Sequence, residues 1–296
     1  LQTFEEQVIV HDRKGERRVS PFMVPMIMPN APGAAISMKF GLQGPNETVT
    51  TACAASTHAL GYATRLIQMG YADLIVSGGT ESVMSPVGMA GFQNMTALSS
   101  SGHSMPFDKN RDGFMMTEGS ATLVLEELSS AQERGATIYG EILGSGSNAD
   151  AHHITAPAPG GMGAFRCMQL AIEDAGLTPD AIRSVNAHGT STPLNDAAEA
   201  EALAKLFGED GPPVTSTKGV TGHALGAAGA LEATAVLLSF QHKEIPPTAG
   251  FQEADPDLPN FNLVHGSAQA WEPGPTLSNS FGFGGHNGSI VIAPVS

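Results

Sequence analysis

The chain has little cysteine, tryptophan or positive charge, and it lacks any long apolar run. Two cysteines, Cys53 and Cys167, in 296 residues cannot build a disulfide framework, and such usage suits the reducing cytoplasm. Lys plus Arg number 14 against 29 Asp plus Glu, a formal charge of −15, which argues against nucleic acid or an anionic membrane as the main partner. No stretch is apolar enough for a membrane span, and no signal-peptide pattern is present. A nucleotide loop is also missing, because Gly282-Phe283-Gly284-Gly285 precedes a strand-like run where a dinucleotide site needs a helix. His152, His153, His188, His223 and Cys53 lack short structural-zinc spacing, so neither a metal nor a cofactor is expected.

What remains is a sequence built to fold. It is 41% hydrophobic and only 15% charged, with 35 glycines and 20 prolines for turns and close backbone approaches. Leu1 opens in a polar segment, and we expect an N-terminal part to be absent. The organising stretch is Thr48–Ser56. Val49 to Ala52 is β-branched and strand-like, and a small-residue helix is expected from Ala54 to Met69, with Gly70 closing it. Cys53 then falls in the first turn of a helix, where unpaired N–H groups and the helix dipole lower a thiol pKa from about 8.5 to about 4–7. That marks it as a candidate nucleophile; a small core residue is the plainer alternative.

Taken in order, His11–Arg18 reads as a charged loop and the chain's one basic cluster, with Arg17 and Arg18 as a docking patch for an acidic partner. A helix is expected over about Ala34–Phe40 and a buried strand over Asp73–Gly79, before a long irregular segment from Ser85 to Arg111. Strands over Ala121–Leu125 and Thr137–Leu143 flank a short helix, Glu127–Arg134. A loop from Asn148 to Pro157 leads to a helix over Met162–Ala175, where Cys167 reads as packing. Further on, a strand over Ser184–Ala187 ends in His188, and a helix over Asp196–Phe207 carries Asp196 and Glu199 in its first turn. Lys218 and His223 precede a second small-residue helix reaching Phe240. The tetrad His58-Ala59-Leu60-Gly61 recurs as His223-Ala224-Leu225-Gly226, which suggests two related halves with their small-residue helices packed at the centre. Cys53, His188, Lys218 and His223 would then meet at strand ends and helix starts, where open α/β sheets place their sites.

Four ordered motifs carry a resemblance: Thr51-Ala52-Cys53-Ala54-Ala55-Ser56, Ala187-His188-Gly189-Thr190-Ser191-Thr192, Lys218-Gly219-Val220-Thr221-Gly222-His223, and Asn279-Ser280-Phe281-Gly282-Phe283-Gly284-Gly285. Together they resemble the elongating Cys-His-His type of β-ketoacyl-acyl-carrier-protein synthase, in the thiolase superfamily. The resemblance implies an α/β fold of the duplicated five-layered αβαβα kind, with the N-terminal part of the first half missing. It divides the chain into a partial N-terminal half, 1–135, and a C-terminal half, 136–296.

It further implies that Cys53 is acylated, that His188 and His223 serve decarboxylation, and that Lys218 pairs with Glu199. Phe283 resembles a gate, its N–H and that of Cys53 forming the oxyanion hole, while Thr190 and Thr192 resemble residues that bond the pantetheine arm. Asp150, His153 and Thr155 resemble a second gating loop. Acyl- and malonyl-loaded carrier protein, docked at Arg17 and Arg18, and a homodimer are the implied partners; Thr96 stands where relatives often carry a basic residue. His286 replaces the threonine of many relatives and is assigned no catalytic role. The implied activity is decarboxylative Claisen condensation in fatty acid elongation. A polyketide ketosynthase and a non-catalytic chain-length subunit remain alternatives, though the latter usually lacks the cysteine. A degradative thiolase usually needs a late cysteine, and none follows Cys167.

Overall fold

The computed structural model describes residues 1–295. Helices α1 (Gln2–Lys14), α2 (Met23–Ile27) and α3 (Ala31–Phe40) lead to a 3-10 turn at Ala52–Ala54 and α4 (Ala55–Gln68). Next come β1 (Leu74–Glu81), α5 (Pro86–Asn94), β2 (Gly119–Glu126) and α6 (Leu128–Glu133). The second half holds β3 (Glu141–Ala149), α7 (Met162–Asp174), β4 (Ser184–Asn186), α8 (Pro193–Phe207), β5 (Val214–Thr215) and α9 (Lys218–Thr221). It closes with α10 (Ala228–His242), β6 (Glu244–Ile245), β7 (Gln269–Ala270), β8 (Thr276–Gly282) and β9 (His286–Ala293).

A five-stranded sheet in the order β3-β9-β8-β4-β5 anchors the second half. The β3–β9 and β9–β8 pairs are antiparallel, and β8–β4 and β4–β5 are parallel. In β9, Ile290, Val291 and Ile292 are all buried, which is how a strand covered on both faces reads. On one face α7 sits close to β3 because Gly144 and Gly146 carry no side chain. A Cβ on Gly146 would lie 2.3 Å from the Cys167 carbonyl oxygen. Cys167 itself is fully buried, its thiol 3.4 Å from the Gly146 carbonyl oxygen, so it packs as expected. Leu60 of α4 and Val236 and Phe240 of α10 share a core cluster with Ile290 and Ile292 of β9. The two small-residue helices do meet: the Ala230 N–H donates to Ser56 Oγ at 3.0 Å, and a Cβ on Gly229 would strike Thr57.

The halves echo each other in a different register from the one the tetrad suggests. Ala52 and Leu225 are both non-glycine residues at positive φ, 49° and 43°, and each opens a 3-10 turn that runs into α4 or α10. Cys53 therefore matches Gly226, while His58 lies inside α4 and His223 ahead of its turn. The two tetrads therefore do not coincide in the fold; what recurs is the positive-φ turn ahead of each helix.

Other expectations need correction. Residues 11–14 are helical, because α1 has an acidic Glu5 in its first turn, basic residues in its last, and Gly15 at φ 83° to end it. Val49–Thr51 forms no strand, and Ala52 already opens the 3-10 turn rather than ending a strand. β3 begins at Glu141 rather than Thr137 and runs past Leu143 to Ala149, because Gly144–Ala149 continue the ladder with β9. Within Ser85–Arg111, Ser85 caps α5 by accepting from the Gly88 N–H at 3.1 Å. No helix among the described residues is long and apolar enough to cross a membrane.

Candidate active site

A cavity of about 510 Å³ opens where the turns before α4 and α10 converge with the end of β8 and the start of α8. Its lining includes Cys53, His188, His223 and Phe283, and also Asp150, Thr155, Thr190 and Thr192. The site named from sequence thus gathers in one place, with Lys218 and Glu199 just behind it and Arg17 and Arg18 exposed on a separate surface turn.

Cys53 is placed by strain and by small neighbours. Ala52 at φ 49° turns the chain sharply, and Gly282 lies so near that a Cβ there would sit 3.0 Å from the Cys53 nitrogen. The thiol is 8% exposed, and the Phe283 and Cys53 N–H groups face it. Burial pushes the thiol up to about 11, ahead of the downward pull of the Lys218 ammonium and those N–H groups. The expected drop to an acidic thiol is overturned, since desolvation outweighs the helix start. Alkylation of Cys53 by iodoacetamide is expected to keep accelerating above about pH 10, where an ordinary thiol of pKa about 8.5 has levelled off. A plateau below pH 8 would contradict this.

His188 ends β4 and is 1% exposed. Its N–H donates to Glu199 Oε1 at 2.8 Å, and Lys218 Nζ donates to its carbonyl oxygen at 2.6 Å and faces its Nδ1 at 3.3 Å. An ammonium donor at Nδ1 leaves the ring proton on Nε2. His223 stands edge-on to His188 with ring centroids 5.3 Å apart, and Phe114 packs on its other side at 5.2 Å. His223 is buried, and neither of its ring nitrogens has a hydrogen-bond partner. Burial, reinforced by the Lys218 charge, holds both imidazoles well below the usual histidine range, so both are neutral at pH 7. The Cys53 sulfur and one nitrogen from each imidazole lie within 4.8 Å of one another, a donor set that could also hold a metal ion.

Lys218 does not pair with Glu199. Its ammonium bonds Glu232 of α10, and both side chains are almost fully buried. Glu199 instead accepts from the His188 and Gly189 N–H groups, and burial lifts it to about 7. Glu232 was missed in sequence, although it is the one carboxylate in an apolar helix. Asp196 was seen only as a helix-start acid. It accepts from the N–H groups of Thr190, Ser191 and Phe107, fixing the turn on which Thr190 and Thr192 meet, their hydroxyls 2.9 Å apart.

The two loops at the mouth are tied together. The Asp150 N–H donates to Gly285 O at 2.9 Å, the Gly284 N–H donates to Ile154 O at 2.7 Å, and the Asp150 carboxylate accepts from Asn287 Nδ2 at 2.7 Å. His153 is exposed, its Nδ1 accepting from the Thr155 and Ala156 N–H groups. His286 packs beside Gly284.

Residues 2–131 match the beta-ketoacyl synthase N-terminal domain, and residues 139–252 match the beta-ketoacyl synthase C-terminal domain. The chain belongs to the beta-ketoacyl synthase family. A 3-oxoacyl-[acyl-carrier-protein] synthase 2 of Synechocystis is 45% identical over 99% of this chain and 72% of its own length. One from Staphylococcus aureus is 45% identical over 99% of this chain and 74% of its own length. A β-ketoacyl synthase of Burkholderia phymatum superposes with TM-score 0.94 at 37% identity, over all of this chain and 73% of the other. A type II PKS ketosynthase, solved with its acyl-carrier protein and bound to the hexaketide, gives TM-score 0.95 at 31% identity over 99% of this chain and 75% of the other. The fold is therefore that of the ketosynthases, and members of this family are acyl-transferring condensing enzymes.

Proposed function

We propose that this ketosynthase-family chain is a 3-oxoacyl-[acyl-carrier-protein] synthase, condensing an acyl group held on Cys53 with malonyl-carrier protein in fatty acid elongation. The observation that carries the reading is the convergence of one buried thiol and two neutral imidazoles on a single cavity. In the first half-reaction the Cys53 sulfur attacks an acyl thioester, its proton passing to an imidazole within 4.8 Å, and the carrier thiol leaves reprotonated. The Phe283 and Cys53 N–H groups face the sulfur and are placed to take up the tetrahedral oxyanion. In the second, malonyl thioester loses CO2, and the electron pair of the broken C–C bond becomes an enolate. The Nε2–H of His188 and an N–H of His223 stabilise its oxygen. The enolate carbon then attacks the acyl carbonyl, and the Cys53 sulfur departs.

Thr190, Thr192 and Thr155 would bond the pantetheine arm, and the loops bearing Phe283 and Asp150 would open to admit it. Lys218 acts through His188, positioning it rather than touching substrate. We assign the division at residue 135, a homodimer and a cytoplasmic location to the same reading. Higher identity to the fatty-acid relatives, 45% against 31% for the polyketide ketosynthase, favours elongation over polyketide use.

The carrier protein is expected to dock through Arg17 and Arg18, the exposed basic pair in a chain of net charge −15. With acyl- and malonyl-carrier as substrates, product mass should rise by two carbons per turnover with one CO2 released. Replacing both arginines by Glu should weaken carrier binding and its salt dependence, while a small acyl thioester still acylates Cys53. Equal loss with both substrates would assign the pair a structural role.

A further inference from the structure

We propose that Cys53, His188 and His223 also form a binding site for a thiophilic divalent cation of the zinc class, which holds the chain reversibly inactive. The argument starts from an imbalance in the cavity floor. His223 is 2% exposed, yet both ring nitrogens lack a partner, a costly state for a buried polar group. Beside it lie the Cys53 sulfur and an imidazole nitrogen of His188, all within 4.8 Å. One sulfur and two nitrogens, with a fourth position open to the cavity, is the ligand chemistry zinc prefers. Tetrahedral zinc, with bonds of about 2.3 Å to sulfur and about 2.0–2.1 Å to nitrogen, sets ligand atoms about 3.3–3.6 Å apart. Side-chain torsions therefore have to close the set, which spans at most 4.8 Å, by about 1.5 Å at most.

Proton balance fixes what else moves. The Cys53 thiol gives its proton to solvent and binds as thiolate, and the two neutral imidazoles bind through lone pairs. If the cation takes His188 Nε2, the ring proton moves to Nδ1 and the 3.3 Å contact with Lys218 is given up. Lys218 keeps its bonds to the His188 carbonyl oxygen and to Glu232. A metal-bound thiolate without a free lone pair aimed at substrate cannot attack a thioester. The inhibitory consequence rests on the catalytic reading of Cys53; the binding does not.

The test is titration with cobalt(II), whose thiolate complexes show a sulfur-to-metal charge-transfer band, followed by displacement with zinc(II). Wild type should develop the band at one equivalent and lose it to zinc. Cys167→Ala should behave as wild type, and Cys53→Ser should give no band while circular dichroism stays native. His223→Gln should weaken binding by at least the roughly 10- to 100-fold that outer-shell changes cost. Zinc should abolish acylation by acyl-carrier protein, and a chelator should restore it. A band that survives Cys53→Ser, or none in wild type, overturns the proposal. Acylation without a band rejects the metal site and keeps the enzyme reading. A band in a metal-free-inactive protein that never acylates keeps the site and rejects the enzyme reading.

Discussion

Replacing His188 or His223 by Ala is expected to leave Cys53 acylation intact or only slowed, while CO2 release from malonyl-carrier falls about 100- to 1000-fold. The separation follows from where charge develops. During acylation the oxyanion sits on the acyl group, beside the Phe283 and Cys53 N–H groups that face the sulfur. During decarboxylation the charge builds on the malonyl thioester oxygen, which the proposed reading places against the two imidazoles lining the cavity. Both rings are buried and held neutral well below the ordinary histidine range, so each keeps an N–H to donate at pH 7. For the same reason decarboxylation should not fall as pH drops to 6.5, since neither imidazole gains a proton there. The two substitutions should be less than additive, because both donors serve one oxygen. Single-turnover acylation by mass, run beside radiolabelled CO2 release, separates the steps. Mutants that decarboxylate normally but fail to acylate would reverse these roles.

Lys218→Ala should cost about 3–5 kcal/mol of stability, because it strands the Glu232 carboxylate in the core without its counter-charge. The same change removes the ammonium that holds the His188 proton on Nε2. Two consequences can therefore be told apart. Combining Lys218→Met with Glu232→Gln should recover most of the stability, since neither position then carries a buried charge. CO2 release should stay low in that double variant, because nothing fixes the His188 tautomer. Denaturant midpoints and the decarboxylation assay report the two separately. A single Lys218→Ala variant with the wild-type midpoint would show that the buried pair contributes little.

The site was legible because chemistry is concentrated in short motifs at element junctions. Cys53, His188 and His223 each follow a local signal, and the fold brings them together. The partner of Lys218 was not legible, because Glu232 lies 14 residues further on, beyond the intervening turn, which no local spacing encodes. The thiol pKa went the wrong way for a related reason. A helix start is visible in sequence, but the burial that outweighs it comes from Gly282, Phe283 and their neighbours, distant in the chain. In the fold, strand β3 was expected to stop at Leu143, before the glycines that permit α7 to approach, whereas those glycines and Asn148 and Ala149 belong to the strand. Likewise the internal repeat was sought in identical letters. What recurs is backbone geometry, the positive φ of Ala52 and Leu225.

The most direct test of the central claim is intact-mass spectrometry after incubation with acyl-carrier protein, with peptide mapping of the modified residue. Cys53 and Cys167 serve as internal comparators, since both are buried but only Cys53 opens on the cavity. One acyl adduct on Cys53, absent in Cys53→Ala and cleared on adding malonyl-carrier, is the result expected. Acylation of Cys167 instead, or turnover by Cys53→Ala at the wild-type rate, would contradict the account.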